Sequence, residues 1–213
     1  MPFQIRPALH SDIAEIARLH RLVLGETLNA RLGERHLRRL YRGLLISEYG
    51  IVLCACADAR IVGFVSGTFH AGQLQADLIR TPGTRILLSL AFGLVLRPWL
   101  CDKLVTQFLI NRPVVYEQQT VNASLLTLGV APNFAHQGIG RQLVKSLIAE
   151  FCRRGVRQFH LNTLSENERA QSFYGALGGR LLRSWRGNHI YLFVLDESVC
   201  AESTNATNDV QTL

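Results

Sequence analysis

The chain has 213 residues, 48% of them hydrophobic and 18% charged, with a formal net charge of +7. That length suits one domain with a substantial core, and the ordinary apolar content excludes a disordered or fibrous chain. The cysteines, Cys54, Cys56, Cys101, Cys152 and Cys200, show neither the spacing of a disulfide framework nor that of a zinc site.

The charge is uneven. The last 18 residues, from Asp196, hold four acids and no Lys or Arg, leaving 23 bases against 12 acids (16 less 4) in the remainder. A body that basic draws anionic partners: a phosphorylated cofactor, an acidic substrate, nucleic acid or a membrane surface. Residues 197–213 are small and polar and read as a disordered acidic tail, so that 1–196 forms a single domain. The N-terminal "MPFQIRPALHSD" lacks the apolar core of a signal peptide, which makes the cytoplasm the expected location.

In chain order, "FQIRPA" predicts a strand and "HSDIAEIARLHRLVL" a helix capped by Ser11 or Asp12. "ARLGERHLRRLYRGLLIS" predicts a second helix, with Leu37, Leu40, Tyr41, Leu44 and Leu45 on its apolar face. "YGIVLCACADARIVGFVSGTFH" predicts two strands joined at Asp58-Ala59-Arg60. Residues 71–121 are an apolar, basic-flanked stretch that reads as a helical insertion, two helices broken at Pro98. Its uncharged run from Ile86 to Leu96 falls well short of the roughly 20 residues needed to cross a bilayer. Packing on its own domain is one reading of this segment; peripheral membrane contact through 85–110 is the other. Beyond it, "NASLLTLGVAP" predicts a strand, 139–154 a helix, "VRQFHLNTL" a strand and "NERAQSFYGAL" a helix. "GRLLRSW" and "HIYLFVLD" then predict a closing hairpin around Gly187-Asn188. The alternation predicts an α/β fold with a sheet of mixed direction.

The chemistry concentrates in "VAPNFAHQGIGRQLVKSLIAEF", residues 130–151. Gly138 and Gly140 stand at the start of an amphipathic helix, whose unsatisfied N–H groups and positive dipole end stabilise an anion. The loop therefore reads as a phosphate or pyrophosphate site. It lacks the third glycine of the dinucleotide fingerprint and the Gly-Lys-Ser/Thr of a Walker loop, so the residues alone leave the ligand unnamed.

The pattern "V-A-P-x-F-x-x-Q-G-I-G-R-x-L", followed by a strand and "N-x-x-A-x-x-F-Y-x-x-L-G-G", resembles the GNAT superfamily of N-acetyltransferases. The resemblance runs from Phe3 to about Leu195, residues 71–121 excepted. It implies a mixed central sheet splayed between its fourth and fifth strands and flanked by helices, with acetyl-CoA in the gap. It further implies that Leu128 and Val130, ending the fourth strand, pair with the pantetheine arm and polarise the thioester carbonyl. Gln137, Gly138, Ile139, Gly140 and Arg141 would cradle the pyrophosphate, Asn167 would touch the cofactor, and Tyr174 would act as general acid at the thioester sulfur. No metal is called for.

Two departures stand out. Ala135 occupies a slot where the family carries Arg or Gln, and His136 one where Gly is common. No Glu or His lies on the fourth strand to serve as base, which leaves Glu117, Glu26, His70, His189 or a water chain. The expected function is acetyl transfer from acetyl-CoA to a primary amine of a small, anionic or amino-sugar metabolite. The alternatives are a protein or peptide acceptor, or a non-catalytic acyl-CoA-binding module docking to a membrane or partner. Nucleic acid is not an expected partner, because the Arg-rich "RLGERHLRRLYR" has no aromatic platform.

Overall fold

The computed structural model describes residues 3–80 and 113–201. Among these, nine strands form where β-branched and aromatic residues run between turn formers. They are β1 (Gln4–Pro7), β2 (Gly50–Ala57), β3 (Arg60–Thr68), β4 (Val114–Tyr116), β5 (Gln119–Val121), β6 (Ala123–Val130), β7 (Gln158–Leu164), β8 (Arg180–Trp185) and β9 (Asn188–Val194). The helices are α1 (Ile13–Val23), α2 (Leu28–Arg31), α3 (Glu34–Ile46), α4 (Ala71–Arg80), α5 (Ile139–Arg153) and α6 (Glu168–Gly175).

Seven strands make one sheet in the order β1-β2-β3-β6-β7-β9-β8, and β4 pairs with β5 apart from it. Every neighbouring pair is antiparallel except β6 and β7, which run parallel. Both faces of the sheet are covered, so its inner strands are nearly continuous apolar runs. On one face Leu143, Leu147 and Phe151 of α5 pack over Val65, Leu125 and Phe159. On the other, Ile16 of α1 and Leu37, Tyr41 and Leu44 of α3 pack over Val52, Cys54 and Phe64. Gly67 lets α5 lie close, since a Cβ there would stand 3.0 Å from Leu147 Cδ1 and 3.1 Å from the Ser124 carbonyl.

The mixed sheet flanked by helices agrees with the expected fold class, and three local expectations need correction. The helix expected to begin at Ala30 is two helices, because Gly33 at φ 95° takes a conformation closed to a helix interior. The helical reading of 71–121 does not reach its end: Val114–Val121 is a hairpin turned at Glu117 and Gln118, both at positive φ. The apolar run of that segment lies outside the described residues, as does the membrane contact proposed for 85–110. Finally, residues 197–201, placed in the disordered tail, form a helical turn. Cys200 in that turn is disulfide-bonded to Cys152 at the end of α5, a pairing that no spacing rule signals.

Candidate functional site

The parallel strands β6 and β7 pair only over Ala123–Leu125 and Phe159–Leu161. A bulge opposite Ser66/Gly67 of β3 then inserts Leu126 into β6, placing Leu126 and Thr127 together on the α1/α3 side. From Leu126 onward β6 pairs with β3 alone, while β7 continues against β9. The sheet therefore opens in its middle, and the open stretch of β6 carries Leu128 and Val130, half-buried against the α5 core.

The loop after β6 makes a short turn at Pro132–Phe134, passes through extended Ala135, and takes left-handed backbone at His136 (φ 64°) and Gly138 (φ 81°). Left-handed backbone at His136 explains the glycine common at that slot. Gly138 caps α5 with no side-chain hydrogen bond, so the N–H groups of Ile139, Gly140 and Arg141 end the helix bare. A Cβ on Gly140 would stand 3.6 Å from Phe173 of α6 and 3.7 Å from Val130 of β6. The helix end, the open strand and α6 thus converge on one point.

Around it, Gln137 and Arg141 are exposed, and Gln137 Nε2 donates to the Asn133 carbonyl at 3.4 Å. Asn167 caps α6, its Oδ1 accepting from the Ala170 N–H at 3.0 Å. Tyr174 is 8% exposed. It lies between Phe173 and Tyr191, and its hydroxyl has no hydrogen-bond partner among the described residues. Burial pushes its phenol well above the ordinary value, so the group stays protonated.

The candidate bases are scattered. Glu117 is exposed in the β4–β5 turn. Glu26 pairs with Arg31, His70 accepts from the Gln73 N–H, and His189 Nδ1 meets Ser184 Oγ. None of them lines the cavity of about 90 Å³ that opens on the α3 side of the bulge, between Leu40 and Leu44 of α3, Leu74 of α4, and Ser66 and Thr127 of the sheet.

Sequence reasoning missed that cavity and its polar wall. Ser66 Oγ and Thr127 Oγ1 lie 2.5 Å apart, and Thr127 Oγ1 is 3.4 Å from the Tyr41 hydroxyl. Tyr41 in turn meets His20 Nδ1 at 2.7 Å. The available signal was Ser66 and Thr68 alternating with apolar residues in a strand buried on both faces. Arg169 was missed too: its Nη2 reaches His136 Nε2 of the glycine loop at 3.4 Å. Among the described residues no group of three or more His, Cys, Asp or Glu could hold a metal ion. Nor is any described helix long and apolar enough to cross a membrane.

The model of the acetyltransferase (GNAT) family matches residues 106–178, a span that includes the open strand, the glycine loop and α6. Over that span the chain is similar to the GNAT acetyltransferases. Solved structures share its fold across most of both chains. An acetyltransferase of Thermus thermophilus is 15% identical with a TM-score of 0.57, covering 92% of this chain and 98% of that one. The PaiA N-acetyltransferase of Thermoplasma acidophilum, solved with coenzyme A, is 15% identical with a TM-score of 0.58, over 92% and 100%. The ribosomal-protein-S18-alanine N-acetyltransferase of Escherichia coli is 14% identical with a TM-score of 0.56, over 91% and 94%. At such identities the likeness is one of fold, and this chain's substrate has to be argued from its own residues.

Proposed function

We propose that the chain transfers an acetyl group from acetyl-CoA to the primary amine of a small metabolite, by direct attack on the thioester. The observation that carries this reading is the convergence at Gly140 of a bare helix end, the unpaired stretch of β6 and the α6 helix bearing Tyr174. The N–H groups of Ile139, Gly140 and Arg141 bind the pyrophosphate, with the helix dipole and the Arg141 charge in support. Gln137 and Asn167 flank it. The open backbone at Leu128 and Val130 pairs with the pantetheine arm and offers an N–H to the carbonyl oxygen, where negative charge develops. Tyr174 donates a hydrogen bond to the departing sulfur. Burial keeps its proton bound, so it stabilises the thiolate by this hydrogen bond, and a proton it gives to the sulfur is returned to the phenolate by the one the attacking amine loses. The proton lost by the attacking amine balances the one gained by the thiol.

The basic composition suggested an anionic or amino-sugar acceptor. The described residues around the cavity carry no charged side chain, and an uncharged amine suits them better. Coenzyme A with the Thermoplasma neighbour supports the donor. The Escherichia coli neighbour acts on a protein N-terminus by its name, which makes a peptide acceptor the alternative to test. A cytoplasmic location fits a metabolic acetyl transfer, and the Cys152–Cys200 pair is the feature that argues instead for an oxidising setting.

The test is thiol release from acetyl-CoA by the purified protein against alkylamines, polyamines, amino-sugar nucleotides and short peptides. Release with small amines supports the proposal; release with peptides alone moves the acceptor to protein. Tight acetyl-CoA binding with no release in any class would leave a binding module.

A further inference from the structure

The hydroxyl chain behind the cavity has a fixed sense, and that sense says what the cavity takes. Thr27 Oγ1 donates to the Leu24 carbonyl at 2.7 Å, so toward His20 Nε2, 3.4 Å away, it can only accept. His20 is fully buried and neutral, so with its proton on Nε2 the bare Nδ1 must accept from the Tyr41 hydroxyl. Tyr41, its one proton spent, accepts from Thr127, and Thr127 accepts from Ser66. Of the chain's hydroxyls that line the cavity, Ser66 and Thr127 therefore present lone pairs to it, because the proton of each points away toward Leu24, and the fully buried Tyr41 fixes that sense from behind.

A wall of acceptors calls for a ligand with several N–H donors. The remaining walls are mostly aliphatic, supplied by Leu40, Leu44, Leu74, Leu78 and Leu126, with the neutral side chains of Asn29, Thr68 and Gln75 among them. No described lining residue carries a charge that could neutralise an ammonium. The titratable groups nearby do not change this. Tyr41 is held protonated, and His20 and His36 are held neutral by burial, both pushed down to about 4. Asp77 on α4 accepts from Ser47, and Arg39, on α3 beside His36, disfavours further positive charge there. An ammonium placed here would lose its hydration with no counter-ion, so the amine enters as its free base.

We propose that this cavity is the acceptor site of the proposed transferase: it takes a primary amine on a short, uncharged aliphatic body, without its ammonium proton, holding the N–H bonds on Ser66 and Thr127, whose lone pairs Tyr41 keeps turned toward it. Two N–H bonds fixed on that wall turn the nitrogen lone pair away from it. The wall stands at Thr127, one residue past the bulge where β6 leaves β7 and the sheet opens. The ammonium proton goes to bulk water before binding. After the C–N bond forms and the C–S bond breaks, the second amine proton leaves the nitrogen and is balanced by the one taken up on sulfur. No enzyme base is needed, in keeping with the absence of Glu117, Glu26, His70 and His189 from the residues that line the cavity.

The inference rests on the acetyl-CoA reading, and the experiment separates the two. Acetyl-CoA affinity is measured by calorimetry, and thiol release is followed with linear alkylamines from two to eight carbons between pH 6 and 10. The expected result is transfer to the shorter amines, with kcat/KM rising tenfold per pH unit up to the pKa of the amine in use. Replacing an alkylamine by its more acidic trifluoro derivative moves that limb by the difference between the two amines. Tyr41→Phe and Ser66→Ala each raise KM for the amine about tenfold and leave acetyl-CoA affinity unchanged. Acetyl-CoA binding with no alkylamine turnover, or a limb fixed at one pH for both amines, overturns the inference and leaves the transferase reading standing. Failure to bind acetyl-CoA overturns both.

Discussion

Arg169, the second residue of α6, places its Nη2 3.4 Å from Nε2 of His136 in the glycine loop. The contact carries a guanidinium to the loop that binds pyrophosphate in the proposed reading, beside the slot where Ala135 offers no donor. His136 can accept this bond only as the neutral imidazole, so the pair also orients the loop. Arg169→Ala should weaken acetyl-CoA about tenfold, the order of one charged contact at an exposed site. The loss should shrink at high salt, as calorimetry in two buffers would show. Ala135→Arg in that background should recover part of it.

Tyr174 stands apart from the other candidate residues in being buried with its hydroxyl uncommitted among the described residues. Its bulk packs against Phe173 and Tyr191, and Tyr174→Phe keeps that packing. The fold should therefore hold, with Tm within a few degrees and acetyl-CoA affinity unchanged. Turnover should fall by about a hundredfold or more, the scale of a lost general acid. Unchanged turnover would reduce Tyr174 to a packing residue.

The candidate site's backbone was legible where residue type and local conformation coincide. Gly138 is at positive φ and Asn167 is a helix cap, and residue type alone announces such positions. The opening of the sheet was not legible from residues, because "ASLLTLGV" reads the same with or without a neighbour on its far side; only the resemblance supplied it. The hydroxyl chain was less visible still. His20, Tyr41, Ser66 and Thr127 come from four elements, and nothing local links a polar residue on α1 to one on β6. Glu117 shows the converse. Proximity in sequence to the fourth strand suggested a base, yet a tight hairpin turn leaves its carboxylate exposed.

The Cys152–Cys200 bond ties the helical turn after β9 to the end of α5 across 48 residues. Closing a loop of that length restricts the unfolded chain and contributes about 2–4 kcal/mol. Non-reducing peptide mapping should recover the two cysteine peptides joined. Reductant, or Cys200→Ser, should lower Tm by about 5–15 °C, on the scaling for a domain of this size. If every cysteine in the purified protein reacts with iodoacetamide in denaturant without reductant, the bond is absent and the tail is not tethered.

Acid should unfold the protein through its buried histidines. His20 and His160 are fully buried and His36 is 2% exposed. Burial lowers each from the ordinary 6.5 to about 4. For His160 the Ala123 carbonyl opposes the shift and the Arg183 charge adds to it, yet neither ring nitrogen has a well-formed hydrogen bond among the described residues. The folded state thus binds fewer protons than the unfolded chain between these values. Stability is complete above about pH 6.5 and falls as pH drops toward 4, by up to about 1.4 kcal/mol per unit for each group. Together the three remove about 6 kcal/mol by pH 5, comparable to the whole stability of a typical domain. Asp12 titrates below this window, since Arg6 holds its carboxyl under the usual range. Urea denaturation at half-unit steps from pH 7.5 to 4.5 should show the loss, and His160→Leu should remove about one proton from its slope. A wild-type midpoint that stays level to pH 5 would mean that these histidines reach water in the native state.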